Sequence, residues 1–145
     1  MLLNVNTSSD TSFKFCSPDI ALVSGSGSWD GHCVKDRQPR LLGKYLGKSN
    51  GNTPSDCVRR CKELDDGYLF AGVQFGSECF CGNEAPPDDT LVDESECDWK
   101  CEGDNDLVCG ALWRMNVYET GCEFISLAII FGLNVFYSIM TPMLH

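Results

Sequence analysis

The sequence has few histidines and no cysteines in the C-x-x-C spacing. Only His32 and His145 accompany its ten cysteines. Structural zinc sites usually combine C-x-x-C pairs, or cysteines with histidines. Thiol–disulfide catalysis relies on C-x-x-C as well. Zinc binding and redox chemistry are therefore weak interpretations of these cysteines, and we expect neither a metal nor a cofactor.

Recognisable catalytic sets are also absent. The chain shows no Ser/His/Asp or Cys/His combination, and it is too short to leave much room for a cleft with two opposed carboxylates. Asp104-Asn105-Asp106 could contribute calcium ligands, but no EF-hand loop pattern surrounds it. We therefore expect a protein that is not an enzyme.

Basic residues are scarce overall, and the formal net charge is −10. This balance argues against nucleic acid as a partner. The charge is unevenly distributed, because residues 35–62 hold eight basic residues and residues 84–106 hold ten acidic ones. The acidic stretch is typical of a solvated loop region.

Cysteine, in contrast, is abundant. A domain of about ninety residues has a thin core, and disulfides are the usual compensation. An even number of closely spaced cysteines favours an oxidising compartment. We therefore predict an extracellular or cell-surface protein in which the cysteines form disulfides.

The stretch Tyr68–Asn83 reads as two strands joined by a tight turn at Gly76-Ser77. A two-residue loop predicts the register Phe75–Glu78, Gln74–Cys79, Val73–Phe80 and Gly72–Cys81. In that register the two cysteines share one face of the hairpin, and Gly72 leaves room for a close approach.

A helix is predicted to begin at Thr53, with Pro54 in the first helical position and Asp56 in the first turn. Cys57 and Cys61 then lie on one face, because they are four residues apart. Two helix cysteines would face two hairpin cysteines, which suggests a pair of disulfides between helix and sheet. Spacing alone leaves the pairing among the four open.

Three further segments have interpretable patterns. Residues 41–46 read as a weak strand, and residues 113–119 as a last strand with Trp113 in the alternation. The Gly- and Asp-rich stretch from Cys97 to Cys109 favours an irregular, disulfide-tied region over a regular element. Four aromatic residues are predicted to lie in the core: Phe70, Phe75, Phe80 and Trp113.

The flanks differ from the centre. Residues 1–27 are predicted to be a flexible leader with a glycosylation sequon at Asn6. Residues 28–119 form the compact domain, and residues 120–145 an apolar tail that is uncharged over 124–144. That tail has four interpretations: a membrane-spanning helix, a truncated or frame-altered end, a segment packed in an oligomer, or a cleaved lipid-anchor signal.

The ordered motifs resemble those of a WSC domain. The resemblance covers about residues 28–119 and rests on five motifs: Cys33-Val-Lys-Asp36, Thr53-x-x-x-Cys57-x-x-x-Cys61, Phe70-Ala-Gly-Val-Gln-Phe-Gly-Ser-Glu-Cys-Phe-Cys-Gly-Asn83, Glu94-Ser-Glu-Cys97-x-x-x-Cys101-x-Gly-Asp104, and Cys109-Gly110-x-x-Trp-Arg-x-Asn-Val-Tyr118. Eight cysteines have counterparts in the family: Cys33, Cys57, Cys61, Cys79, Cys81, Cys97, Cys101 and Cys109. Cys16 and Cys122 lie outside this set, and we expect them to pair with each other.

The resemblance implies a small disulfide-rich α+β module of the PAN/apple type, with one helix packed on an antiparallel sheet. It also implies a non-catalytic extracellular module that binds glycans or glycoproteins. Five residues are candidate glycan contacts: Tyr45, Gln74, Glu78, Asn83 and Trp99. The alternative is a protein-interaction or structural subunit of an extracellular or cell-surface assembly that self-associates or meets a membrane through residues 124–144.

Overall fold

The computed structural model describes residues 12–16, 29–65 and 67–126. Asn6, most of the predicted leader and residues 127–145 of the tail lie outside these ranges. The chain divides into two compact units, Met1–Phe15 with Glu123–His145, and Cys16–Cys122. Among the described residues, no helix has the length and apolar character needed to cross a membrane.

One helix and nine strands are described, with two short 3-10 turns at Asp88–Thr90 and Glu94–Glu96. The strands follow the chain as β1 Ser12–Cys16, β2 Asp30–Lys35, β3 Lys44–Lys48, β4 Phe70–Gln74, β5 Glu78–Gly82, β6 Lys100–Cys101, β7 Asp104–Val108, β8 Arg114–Glu119 and β9 Cys122–Ser126. The helix α1 spans Pro54–Glu63. Strand β1 pairs with β9, β6 pairs with β7, and five strands form the main antiparallel sheet in the order β2-β8-β4-β5-β3.

Helix α1 begins as the sequence predicts. The hydroxyl oxygen of Thr53 accepts a hydrogen bond from the backbone N–H of Asp56 at 3.1 Å, which satisfies one of the free donors of the first turn. Cys57, Val58 and Cys61 are buried against the sheet. The α+β class with one helix on an antiparallel sheet is confirmed.

The pairing of the cysteines, left open by the spacing, is Cys57–Cys79 and Cys61–Cys81 between α1 and β5. The other three disulfides are Cys33–Cys97, Cys101–Cys109 and Cys16–Cys122. The last is the pair expected from the two cysteines outside the resemblance.

The predicted register of the β4–β5 hairpin is wrong by one residue. Gln74 pairs with Glu78 and Val73 with Cys79, so the loop contains three residues, Phe75 to Ser77. Phe75 has a φ of 56°, and the N–H of Gly76 donates to the carbonyl of Cys109 at 2.9 Å. A one-residue shift exchanges the two faces of a strand. Gly72 therefore faces away from α1 rather than towards the cysteines.

Two apolar clusters cover the two faces of the main sheet. The first lies under α1 and contains Ala71, Val73 and six cysteines. The second lies on the opposite face and consists of Trp29, Val34, Leu42, Phe80, Met115 and Val117. Of the four predicted core aromatics, Phe80 is buried and Phe70 packs against the second cluster, while Phe75 is half-buried and Trp113 is 39% exposed.

The stretch from Cys97 to Cys109 is more regular than predicted, because β6 and β7 form a hairpin. Backbone hydrogen bonds attach its turn to neighbouring loops: Glu102 N–H donates to Gly76 at 3.0 Å, and Gly103 N–H to Asn52 at 3.0 Å. The predicted strand at 41–46 instead starts at Lys44, because Leu42 turns into the second cluster.

Candidate functional site

The loop between β2 and β3 lies over the sheet face opposite α1, and Asp36 organises it. The buried Asp36 carboxylate accepts hydrogen bonds from the N–H groups of Arg37 at 2.9 Å and Leu41 at 3.1 Å. It also pairs with Nη1 of Arg40 at 2.6 Å. Its own N–H donates to the carbonyl of Trp113 at 3.0 Å. Asp36 therefore fixes both the loop and the residue that precedes β8.

These bonds place the Arg40 guanidinium against two aromatic rings. Its central carbon lies 4.3 Å from the centre of the Trp113 ring and 5.3 Å from that of Phe80. With its amide oriented to satisfy both neighbours, Gln74 donates to Asp36 at 3.2 Å and accepts from Arg40 at 3.0 Å. Cation–ring contacts of this kind stabilise a fixed guanidinium plane.

Tyr45 extends this arrangement along β3. It pairs with Phe80 across the strands, and the two ring centres are 4.9 Å apart. Its hydroxyl donates to Glu78 at 3.2 Å, while the ring stays 49% exposed. Desolvation, and then the charge of Glu78, raise the pKa of Tyr45, which favours the protonated hydroxyl that donates to Glu78.

A bulge in β3 brings a second cation to the same face. Residues three apart on a regular strand point to opposite sides. The register shifts between Tyr45 and Lys48, and Gly47 within the shift has a φ of 87°. Lys48 therefore pairs with Glu78 and shares the face of Tyr45.

Lys48 lies next to a second pair of aromatic rings. Its Nζ lies 5.3 Å from the centre of the Phe75 ring, which lies 4.8 Å from that of Trp99. Trp99 is 41% exposed, and its backbone is held by hydrogen bonds with Cys109 and Gly110. We call the resulting series of rings and cations the aromatic–cation band; it consists of Trp113, Arg40, Tyr45, Lys48, Phe75 and Trp99.

A cavity of about 450 Å³ lies where β3 begins and β5 ends. Arg40 belongs to its wall as well as to the aromatic–cation band. The other lining residues are Leu41, Gly43, Lys44, Tyr68, Cys81, Gly82, Asn83 and Glu84. We call this space the edge cavity.

The structure brings together three of the five residues predicted to contact a glycan: Tyr45, Gln74 and Glu78. Gln74 is only 4% exposed, so it is placed to hold Arg40 rather than to reach a ligand. Trp99 lies at the far end of the band, and Asn83 lines the edge cavity while its Oδ1 accepts a hydrogen bond from the N–H of Leu69 at 3.2 Å.

Sequence reasoning missed Arg40, Lys48 and the exposure of Trp113. Arg40 and Lys48 were seen only as members of a basic stretch. The informative signal for Lys48 was Gly47, because a glycine inside a strand often marks a bulge.

Within the described ranges, one group of three side chains has the spacing of a metal site: Cys57, Cys61 and Cys79. All three sulfurs belong to disulfides. They therefore offer no thiolate, which is the form that binds zinc.

The chain belongs to the WSC domain family, which it matches over residues 31–111, more than half of its length. WSC domains are generally carbohydrate-binding modules. Together with the five disulfides, this membership points to an extracellular or lumenal location.

Relatives of two kinds share this region. Xylosyltransferase oxt of Drosophila melanogaster is 44% identical over 91 residues, which is 61% of this chain and 10% of the relative. Xylosyltransferase sqv-6 of Caenorhabditis elegans is 35% identical over 96 residues, which cover 61% of this chain and 11% of the relative. A WSC domain-containing protein of Arthroderma benhamiae is 36% identical over 62 residues, which cover 43% of this chain and 9% of the relative. The chain thus spans about a tenth of the length of these relatives.

Proposed function

We propose that this chain is a non-catalytic module that binds a glycan through the aromatic–cation band. The observation that carries the proposal is a series of contacts, in which Arg40 lies against the rings of Trp113 and Phe80 and Phe80 lies against Tyr45, with Trp113 and Tyr45 exposed. Sugar rings stack their C–H faces on aromatic side chains, and their hydroxyls accept hydrogen bonds from guanidinium groups and donate to carboxylates. Rings, an arginine and Glu78 lie here on one sheet face.

The preorganisation of Arg40 supports the same proposal. Its side chain is 30% exposed, while Asp36 beneath it is fully buried. A donor that is already held in place loses little conformational entropy when a ligand arrives. This geometry supports recognition of a hydroxyl-rich ligand, because a fixed guanidinium donor adjoins exposed rings.

Titration of an array-selected glycan against single variants of the full chain tests the proposal. Tyr45→Ala and Trp113→Ala should each weaken binding by about tenfold, since one ring contact is worth on the order of 1 kcal/mol. Phe124→Ala is the matched control, because Phe124 is an equally exposed ring outside the band. Trp99→Ala reports whether the bound glycan extends past Lys48.

Arg40 is unsuitable as the first variant, since its removal leaves the buried Asp36 carboxylate without its cation and costs several kcal/mol of stability. Glycan binding that is equally strong in Tyr45→Ala, Trp113→Ala and the unchanged chain would contradict the proposal. So would the absence of binding to every glycan on the array.

Protein docking is the second candidate. Leu112, next to Trp113, is 61% exposed, and such apolar side chains beside rings are typical of protein contacts. Sedimentation that shows self-association, lost in Leu112→Ser, together with no glycan binding, would favour it.

A further inference from the structure

The edge cavity has the size of a ligand site and adjoins the aromatic–cation band. Its volume of about 450 Å³ lies within the range of small-molecule sites, roughly 300–1,000 Å³. Gly43 and Gly82 contribute to its lining. A Cβ atom built on Gly43 would meet nothing within 4 Å, so the backbone there borders open space.

The lining carries hydrogen-bonding groups of opposite charge. Lys44 offers an ammonium group and Glu84 a carboxylate, and in the described part of the chain neither takes part in an ion pair or a side-chain hydrogen bond. An anion in the cavity would be repelled by Glu84, and a cation would be repelled by Lys44 and Arg40. Hydroxyl groups both donate and accept, so a neutral polyhydroxylated ring can use both residues.

Arg40 connects this cavity to the band. Its guanidinium stacks on Trp113 and also borders the cavity. Asp36 holds Nη1 of the guanidinium at 2.6 Å, which leaves other donors of the group without a protein partner in the described ranges. A ligand in contact with Arg40 on the band would therefore lie next to the cavity.

We propose that the edge cavity is a further subsite, which takes one neutral sugar unit at the end or branch of the glycan bound on the band. This inference rests on the proposed function and adds the ligand class, a neutral oligosaccharide longer than the band alone accommodates. Affinity should then increase with chain length until the cavity is filled.

Gly43→Leu tests the subsite, because it fills the cavity without removing any hydrogen-bonding group. Neutral gluco- and xylo-oligosaccharides, from disaccharide to hexasaccharide, are titrated against the full chain by calorimetry. The variant should bind the longest member of the bound series about tenfold more weakly and the shortest member unchanged. Gly51→Leu is the matched control, since Gly51 lies outside the cavity and its Cβ position meets only Ser49 Oγ at 3.8 Å.

The outcomes separate the two proposals. If Gly43→Leu matches the unchanged chain at every length while Tyr45→Ala weakens binding, the subsite is refuted and the band stands. If no neutral oligosaccharide binds while the array selects another glycan that Tyr45→Ala weakens, the neutral subsite is refuted and the band stands. A stronger response to oligogalacturonides, abolished in Lys44→Ala and by salt, would overturn the neutral class, because only a charged ligand would be screened in that way.

Discussion

Trp113 has a backbone conformation that residues with a Cβ atom seldom adopt. Its φ of 55° lies in the left-handed region, which costs on the order of 1–2 kcal/mol. The hydrogen bond from Asp36 and the contact with Arg40 offset this cost. The alternation of apolar and polar residues predicts that Trp113 lies inside the last strand and in the core. That alternation carries no information about the left-handed backbone at this residue. The exposed ring of the candidate site was therefore not predictable from the pattern.

Tyr118 illustrates a residue whose role follows from burial. Its ring packs beside Gly31, where an added Cβ would lie 3.0 Å from the hydroxyl oxygen. Burial, with smaller contributions from Asp30 and Glu94, raises the pKa of Tyr118 from 10.0 to about 12. The protonated phenol is favoured in the folded state, so its contribution is complete below pH 10 and is lost as the pH rises towards 12.

We therefore expect Tyr118→Phe to lose less stability than the unchanged chain between pH 10 and 12. Two pKa units correspond to about 2–3 kcal/mol in the free energy of unfolding. Urea unfolding of both proteins at each pH measures the difference, and the titration of Tyr45 and Tyr68 cancels because both proteins contain them. Parallel pH profiles would show that Tyr118 does not titrate in this way.

Among the elements, the start and the buried face of α1 followed from local chemistry, whereas the register of the β4–β5 hairpin did not. Thr53, Pro54 and the four-residue cysteine spacing each determine a local feature of the helix. The hairpin loop, in contrast, is set by Gly76 docking on Cys109, which is far away in the sequence. The composition of the hairpin was therefore predictable, while its register depended on a tertiary contact.

The observed register makes a specific demand on Gly72 in β4. A Cβ atom there would lie 2.2 Å from Sδ of Met115 and 2.9 Å from Leu42. Gly72→Ala should therefore lower the free energy of unfolding by about 1–3 kcal/mol through overpacking of the second cluster. Urea denaturation checks this, with Gly43→Ala as a control expected to remain within about 0.5 kcal/mol. A neutral Gly72→Ala would contradict the tight packing on this face.

At the scale of the whole molecule, sulfur replaces much of the aliphatic interior. Six of the nine buried residues in the cluster under α1 are cysteines: Cys57, Cys61, Cys79, Cys81, Cys101 and Cys109. The abundance of cysteine predicted this kind of core. The partners could not be read from spacing, because several pairings of four facing cysteines satisfy the same helix and strand periods.

Two double variants separate loop closure from packing. Cys16–Cys122 closes a separation of 106 residues and Cys61–Cys81 one of 20, so chain entropy alone assigns them about 5 and about 3 kcal/mol. Cys16→Ser with Cys122→Ser should lower the urea midpoint yet keep the far-UV circular dichroism. Cys61→Ala with Cys81→Ala should also lower the helical signal, since both side chains are fully buried between α1 and the sheet, while Cys57–Cys79 still links the helix to β5.

Loss of the helical signal in the first double variant, or its retention in the second at the same urea concentration, would reverse this assignment. The two proteins have equal numbers of remaining disulfides, so the comparison does not depend on cysteine content.

The Cα atoms of Cys16 and Cys122 lie only 3.8 Å apart. The two ends of the Cys16–Cys122 unit therefore lie next to each other. A unit whose two ends lie next to each other can be inserted into a surface loop of a host protein without distorting the host backbone. Such a unit can be moved between host proteins or duplicated within one, and the aromatic–cation band is transferred with it.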